Sequence, residues 1–473
     1  MPSAADLTMT VGKDRVREAL RELVVPHVVV ALECDRPTSL PVRISLADVS
    51  AMDIGRGKSR HVTKADGRFR VDVPDRCMSS KHATLKRDTR TKPEGVWVLE
   101  DTGSKNGVLV NGKRVNRAEL VPGDLFELGH TMFLFLHREA RVGDDPEVFD
   151  VATSALPAGF RTLVPELARQ FEDVQKLAAS KVPLLLLGET GTGKEMVARG
   201  IHALSGRTGD FVAVNCGALP ANLVESELFG SKKGAFSGAT EDRPGLVRAS
   251  DKGTLLLDEV GDLPLTPQAA LLRTLQESEV TPVGASKPVP VDLRVLAATH
   301  HDVDALVAKK AFRSDLHARL NGFVVHLLPL RERPEDMGLL VAMLLLRADP
   351  KDIERLSFDP DAVRRFFQYG WPQNVRELEK CLRSAVVLAG AGSRVEIAHL
   401  PEPLRKLPKD FARPKSVQKD GAPKDDDVHV RLLAELATHK GNVSAVARSM
   451  GKARMQIHRW IRQYDVDLDR YRE

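Results

Sequence analysis

At 473 residues, 42% apolar and 29% charged, the chain has the length of about three ordinary domains and the composition of a globular protein. A net charge of only +5 excludes nucleic-acid binding by bulk charge, so any such role must be local. The longest apolar runs, such as 182–187, are far short of a membrane span, residues 1–25 lack a signal-peptide core, and Cys34, Cys77, Cys216 and Cys381 lack metal-ligand spacing; a reduced, cytoplasmic protein with no membrane role is expected.

The first segment, 25–138, reads as short strands. Val28-Val29-Val30-Ala31-Leu32, Phe69-Arg70-Val71-Asp72-Val73, Val96-Trp97-Val98-Leu99 and Phe133-Leu134-Phe135-Leu136 are apolar or alternating runs. Turn signals at Asn106-Gly107, Asn111-Gly112 and Pro122-Gly123-Asp124 separate them, which predicts an all-β sandwich. Gly55-Arg56, Ser79-Ser80-Lys81-His82, the run Asp101-Thr102-Gly103-Ser104-Lys105-Asn106-Gly107 and Asn111-Gly112 occur in that order. Through these motifs residues 28–137 resemble the forkhead-associated (FHA) domain, a phosphothreonine reader. The resemblance implies that Arg56 grips the phosphate with its planar fork while Ser79, Ser80 and Lys105 complete the oxyanion cage. It further implies that Asn106 bonds the peptide backbone and that His82 braces the loop from within. The partner so implied is a Thr-phosphorylated protein, and hence a Ser/Thr kinase.

Residues 139–159 mix charges with Pro and Gly and are expected to be a linker. From 160, buried-strand runs alternate with helical periods, which predicts a parallel sheet covered by helices. The strand Pro183-Leu184-Leu185-Leu186-Leu187 runs into Gly188-Glu189-Thr190-Gly191-Thr192-Gly193-Lys194-Glu195 and then a helix. That is a phosphate-binding P-loop: backbone N–H groups wrap the phosphates, the helix N-terminus favours negative charge, and Lys194 neutralises the β and γ oxygens. Glu195 stands where a metal-binding hydroxyl is usual. Downstream, Leu255-Leu256-Leu257 ends in Asp258-Glu259, suiting a magnesium ligand and a base for the attacking water. Between the two lies Gly234-Ala235-Phe236-Ser237-Gly238-Ala239, a small-residue loop with one Phe that nucleotide chemistry could present to a partner.

Together these residues, over 160–400, resemble the AAA+ domain of bacterial enhancer-binding proteins, the activators of sigma-54 RNA polymerase. The resemblance implies ATP and Mg²⁺ as cofactors, with residues 188–195 as Walker A and Asp258-Glu259 as Walker B. It implies that Asn215 restrains the catalytic Glu259, that Thr299 belongs to the γ-phosphate sensor, and that 234–239 contacts the sigma factor. Arg313 and Arg319 would reach a neighbouring subunit's γ-phosphate in a homo-oligomeric ring. Trp371-Pro372-Gln373-Asn374-Val375-Arg376 matches the helical lid, expected over 329–400, with Arg376 on the phosphates. Ser237, His300 and Gln373 depart from the family's usual Thr, Asn and Gly.

Residues 401–427 carry too little apolar surface to order themselves and read as a second linker. In 428–473, Val443, Val446, Ala447 and Met450 form one helical face, Gly451 suits a left-handed turn, and Ile457, Trp460, Ile461 and Tyr464 form a second face. This layout resembles the Fis-type helix-turn-helix of the same activators and leaves Arg454, Gln456, His458, Arg459 and Arg462 outward for promoter-upstream DNA. The whole reads as an FHA sandwich, an α/β P-loop ATPase with a helical lid, and an all-α DNA-binding end. Two rivals remain at this stage: a chaperone or unfoldase selecting phosphorylated clients, and a DNA-bound scaffold with a weak motor.

Overall fold

The computed structural model describes residues 23–90, 95–140, 145–153, 156–220, 222–235, 240–348, 353–390 and 392–408, with single residues between 432 and 450. Two units divide the chain, Met1–Arg413 and Pro414–Glu473. In the second, Leu432, Leu436 and Val446 are buried. The five outward residues expected to read DNA, Arg454, Gln456, His458, Arg459 and Arg462, lie outside the described residues.

The first unit begins with the expected sandwich, a seven-stranded sheet facing a six-stranded one. Alternation along each strand fills the space between them. Val28 and Val30 meet Ile54, Val71, Leu99 and Phe133 in one core, and Phe126 stacks on Phe133 with ring centroids 5.0 Å apart. The stretch 139–159 departs from its reading as a linker. The strand Thr131–Ala140 runs into it, and Val148–Asp150 adds a further strand by pairing with Val42–Ile44. Two β-formers, Val148 and Phe149, suffice for this because the sandwich edge offers unpaired backbone, and the Arg43 guanidinium covers the Phe149 ring at 5.4 Å.

The α/β part has five parallel strands in the order Phe211–Asn215, Thr254–Asp258, Arg294–Thr299, Leu184–Leu187, Phe323–His326. Their near-continuous apolar runs follow from burial on both faces: Leu185, Leu255 and Leu257 enter one core, Leu184, Leu186 and Leu256 the other. The strand leading to the P-loop neighbours the strand ending at Thr299, which neighbours the strand ending at Asp258. Chemistry-bearing residues therefore collect at one sheet edge, the carboxyl ends of the strands.

The lid comprises the helices Met337–Ala348, Pro360–Gln368 and Asn374–Ala389, with a short helix Glu402–Arg405. It runs past the expected end at 400: Leu404 is buried, and Arg365 Nη1 donates to the carbonyls of Leu404 and Leu407 at 2.8 and 2.6 Å. The second linker, read as 401–427, therefore starts several residues late, because those carbonyls anchor a segment whose composition alone is polar.

The sandwich is not tethered but packed. Val29, Ala31, Leu125, Met132, Leu134 and Leu136, on the outer face of the larger sheet, share one core with Leu339, Val341, Phe366, Trp371 and Leu382 of the lid. Gly338 makes the approach possible, since a Cβ there would lie 1.7 Å from the Ala31 carbonyl oxygen. The Phe358 amide donates to the Cys34 carbonyl at 2.8 Å. Two ion pairs, one buried and one half-buried, close the seam. Arg364 forks onto Glu127 at 2.6 and 2.8 Å, and Arg138 forks onto Glu335 at 2.6 and 2.7 Å.

Candidate nucleotide and phosphopeptide sites

The P-loop turns tightly between Leu187 and the helix Lys194–Leu204, with Gly191 and Gly193 at φ +81° and +106°. At Gly191 no side chain is tolerable, because a Cβ would sit 2.2 Å from the Gln373 carbonyl oxygen of the lid. Lys194 is buried and its ammonium donates to the Gly188 carbonyl at 2.9 Å, facing Glu259 Oε1 at 3.3 Å. The Thr192 hydroxyl donates to the Glu189 carbonyl at 2.8 Å. Glu189 itself holds the lid: Arg331 forks onto its carboxylate at 2.8 and 2.5 Å, and Asn374 Nδ2 adds a bond at 3.2 Å. Glu195 is not brought to the loop. It is exposed and paired with Arg199 at 2.7 Å, one turn along the helix.

Asp258 and Glu259 follow as expected at the end of their strand. Burial and the neighbouring Glu259 charge push the Asp258 carboxyl above its ordinary range, with Lys194 pulling the other way. A half-buried acid beside a second carboxylate fits a hard cation, which would take Asp258 and complete its shell with phosphate oxygens and water. Among the described residues no cluster of three or more His, Cys, Asp or Glu forms a protein-only metal cage. Glu259 has a left-handed backbone, φ +52°. Burial favours its neutral form, but bonds from His300 and the Lys194 charge outweigh this and hold its carboxyl below the ordinary range.

Asn215 departs from its expected role as the restraint on Glu259. Its side-chain oxygen caps the turn 216–218, accepting from the Gly217 and Ala218 amides at 3.1 Å each, and no hydrogen bond joins it to Glu259. Thr299 is fully buried; its carbonyl accepts from the Gly188 amide at 3.2 Å and its hydroxyl from the His301 amide at 3.1 Å. It thus ties the strand Arg294–Thr299 to the P-loop. Arg376 is exposed beside the loop, its Cβ 3.2 Å from where a Gly191 Cβ would stand. Arg313 forks onto Asp315 at 3.0 and 2.7 Å and Arg319 donates to the Leu275 carbonyl at 3.0 Å. Both are exposed, and neither bonds to its own chain's P-loop.

The hexapeptide stands on a clasped stem. Ser231 and Arg243 exchange backbone bonds at 3.0 and 2.9 Å, the Lys232 amide donates to the Val283 carbonyl at 3.0 Å, and Asp242 accepts from Lys232 Nζ and the Lys233 amide at 2.5 and 2.8 Å. Gly234, at φ +81°, and Ala235 lead out of the stem. Phe236, Ser237, Gly238 and Ala239 lie outside the described residues.

At one apex of the sandwich the residues expected to hold a phosphopeptide converge. The Arg56 amide donates to the Ser79 carbonyl at 2.9 Å, holding the backbone of this exposed residue beside Ser79, whose hydroxyl accepts from the Lys105 amide at 3.1 Å. Asn106 Nδ2 donates to the Cys77 carbonyl at 2.7 Å. His82, fully buried, accepts from the Ser79 amide at Nδ1 (3.1 Å) and donates from Nε2 to the Gly107 carbonyl at 3.0 Å, joining the two loops as expected. Sequence reasoning missed Arg70. Its Nη2 donates to the Ser80 carbonyl at 2.6 Å while Asp72 steadies it, so it fixes the loop that carries Ser79 and Ser80. The available signal was its polar, outward place in the alternating run 68–73.

The join between the sheet and the lid, residues 331–336, makes wider contacts than its sequence alone announces. Arg331 pairs with Glu189, Arg333 Nη2 donates to the Thr192 carbonyl at 2.7 Å, Glu335 pairs with Arg138 of the sandwich, and Asp336 accepts from Thr162 and the Leu163 amide at 2.7 and 2.6 Å. Burial pushes the Asp336 carboxyl up to about 6. This segment therefore touches the P-loop, the lid, the sandwich and the start of the α/β part.

Three stretches match known domain families: residues 162–326 the "Sigma-54 interaction domain", 331–416 the "AAA+ ATPase lid domain" and 52–129 the "FHA domain". The Acetoin catabolism regulatory protein of Cupriavidus necator is 40% identical over 331 residues, covering 68% of this chain and 48% of that protein. The putative uric acid sigma-54-dependent transcriptional regulator UacR of Escherichia coli is 34% identical, covering 74% and 61%. The anaerobic nitric oxide reductase transcription regulator NorR of Aeromonas salmonicida is 37% identical, covering 70% and 68%. The chain spans about half the length of the first of these relatives.

Proposed function

Since the chain belongs to the family of sigma-54-dependent transcriptional regulators, we propose that it is an ATP-driven activator that remodels the sigma-54 RNA polymerase closed complex. One observation carries the reading: Lys194 faces Glu259 at 3.3 Å, beside Asp258, at the carboxyl ends of the parallel strands, and the connection between the strands Phe211–Asn215 and Thr254–Asp258 carries the clasped stem of the Gly-Ala-Phe-Ser-Gly-Ala loop. In this reading the P-loop amides and Lys194 bind the ATP phosphates, and Glu259 takes the proton of the attacking water. A magnesium ion at Asp258 would supply neutralising charge to the phosphates. Arg313 and Arg319, exposed on one helix and its cap, act on a neighbouring subunit's nucleotide, so hydrolysis requires a ring. No described helix is long and apolar enough to cross a membrane, and the work belongs in the cytoplasm on promoter-upstream DNA held by the carboxy-terminal helices.

The decisive measurement is binding to sigma-54 with and without a transition-state nucleotide analogue. Binding that appears only with the analogue, and is lost in Phe236→Ala while ATPase activity persists, is the expected result. Binding indifferent to nucleotide would leave a scaffold, not a motor.

Input enters through the sandwich, which we read as a phosphothreonine receptor for a kinase-modified protein. Arg56→Ala should weaken binding of a phosphothreonine peptide by about 2 kcal/mol or more, the worth of one charge-assisted forked contact, without unfolding the domain. Calorimetric titration showing unchanged preference for phosphorylated over unphosphorylated peptide would refute the site.

A further inference from the structure

The geometry points to His300 as the positioning residue that aims the Glu259 carboxylate at the phosphate site, a role that rests on reading the site as an ATPase. Glu259 needs such a partner. Its backbone is left-handed, and its carboxylate bonds across to Lys194 on one element and His300 on another. Oε1 lies 3.3 Å from Lys194 Nζ. Oε2 accepts from His300 twice, from Nδ1 at 2.7 Å and from the backbone amide at 3.2 Å.

These two anchors are not equivalent once a nucleotide binds. A γ-phosphate competes for Lys194, because neutralising phosphate oxygens is what a P-loop lysine does. Oε1 then faces the phosphate and its water, and the grip of His300 on Oε2 is what still fixes the carboxylate. Asn215 does not share the task here: its oxygen caps the turn 216–218, and its amide group makes no hydrogen bond to Glu259.

The imidazole is itself braced. Its ring lies against that of His301, centroids 4.0 Å apart, and His301 Nε2 is 2.8 Å from Asp262 Oδ1. Gly261 makes room for this arrangement, as a Cβ there would come within 2.8 Å of His301 Cδ2. Asp262, His301 and His300 thus orient one another in series, ending on the base. For Nδ1 to bond a carboxylate it must carry hydrogen, so His300 presents an N–H donor at that position.

The test exploits an atomic coincidence. Asn places its Nδ2 the same number of bonds from the backbone as His Nδ1, whereas the Gln amide nitrogen lies one bond further, like Nε2. Steady-state ATP hydrolysis and ATP affinity are measured on the full-length protein carrying His300→Ala, His300→Asn or His300→Gln, with Lys194→Ala as background. His300→Ala should lower kcat by about tenfold or more, the scale of misaligning a general base, while the Kd for ATP stays within about twofold. His300→Asn should restore kcat to within about threefold of the original, and His300→Gln should not. Full kcat in His300→Ala, parallel loss of ATP binding, or rescue by Gln as good as by Asn would each overturn the role of His300 while leaving the ATPase intact. An unsubstituted protein no faster than Lys194→Ala would instead overturn the ATPase reading and take the inference with it.

Discussion

Lys194→Ala is expected to abolish ATP binding, and Glu259→Gln to bind ATP yet hydrolyse it at least about a hundredfold more slowly. The two losses separate because the residues act at different moments. Lys194 is the buried cation of the loop, its ammonium set among the Gly188 and Glu189 carbonyls and Glu259, so the phosphates lose their main counter-charge when it goes. Glu259→Gln keeps the shape and the bond from His300 Nδ1, since an amide oxygen still accepts, but removes the proton acceptor, the contribution usually worth a factor of about 10² to 10⁴. Equilibrium binding of a fluorescent ATP analogue and a coupled turnover assay read the two quantities independently. Turnover by Glu259→Gln at the original rate would mean that another group takes the proton.

The largest stability effect is expected far from that site, at the seam between sandwich and lid. Arg364→Ala should destabilise the folded unit by about 3–5 kcal/mol, because it leaves Glu127, only 2% exposed, as an unpaired buried carboxylate. The pH dependence has a definite sign. Burial already pushes the Glu127 carboxyl above its ordinary range with Arg364 in place, and losing Arg364 removes what opposes that push. A carboxyl raised in the folded state stabilises below its unfolded pKa and loses that contribution as pH rises through the folded value. The deficit of Arg364→Ala should therefore be larger at pH 8 than at pH 5. The double variant Arg364→Met with Glu127→Leu should recover most of the loss, as apolar replacement of a buried pair often does. Calorimetric melting at both pH values checks all three statements, and an equal deficit at both would show that Glu127 finds another partner or water.

The α/β part was legible because its chemistry is local in sequence. Eight consecutive residues define the P-loop, and an apolar strand ending in Asp258-Glu259 needs no distant partner to be recognised. What escaped was whatever depends on a contact across the fold. His300 was legible as a departure from the family's usual Asn beside Thr299, but its bond to Glu259, 41 positions away, was not. Asn215 lay at the expected place, yet its oxygen caps the turn 216–218 and its amide group makes no hydrogen bond to Glu259. Glu195 found Arg199 one turn away in the same manner.

The seam left a sequence trace that can be stated physically. A sandwich strand with one face in water alternates apolar and polar residues, but 28–32 and 132–136 are apolar at every position. Both faces of those strands must be covered. Which element covers the second face is not local information, since Glu127 and Arg364 are 237 positions apart.

That covered face has a consequence for descent. Regulators gain new inputs by recombination, and a sensory module that hangs on a linker can be exchanged at a single cut, because few contacts cross it. Here no such cut exists. Replacing residues 23–150 with an unrelated sensor would bare Leu339, Val341 and Phe366, strand Arg364 and Glu335 without their partners, and leave Gly338 shaped for a carbonyl that is gone. A substitution on one side of this seam calls for a matching one on the other, so the sandwich and the lid form a single unit for any exchange of parts.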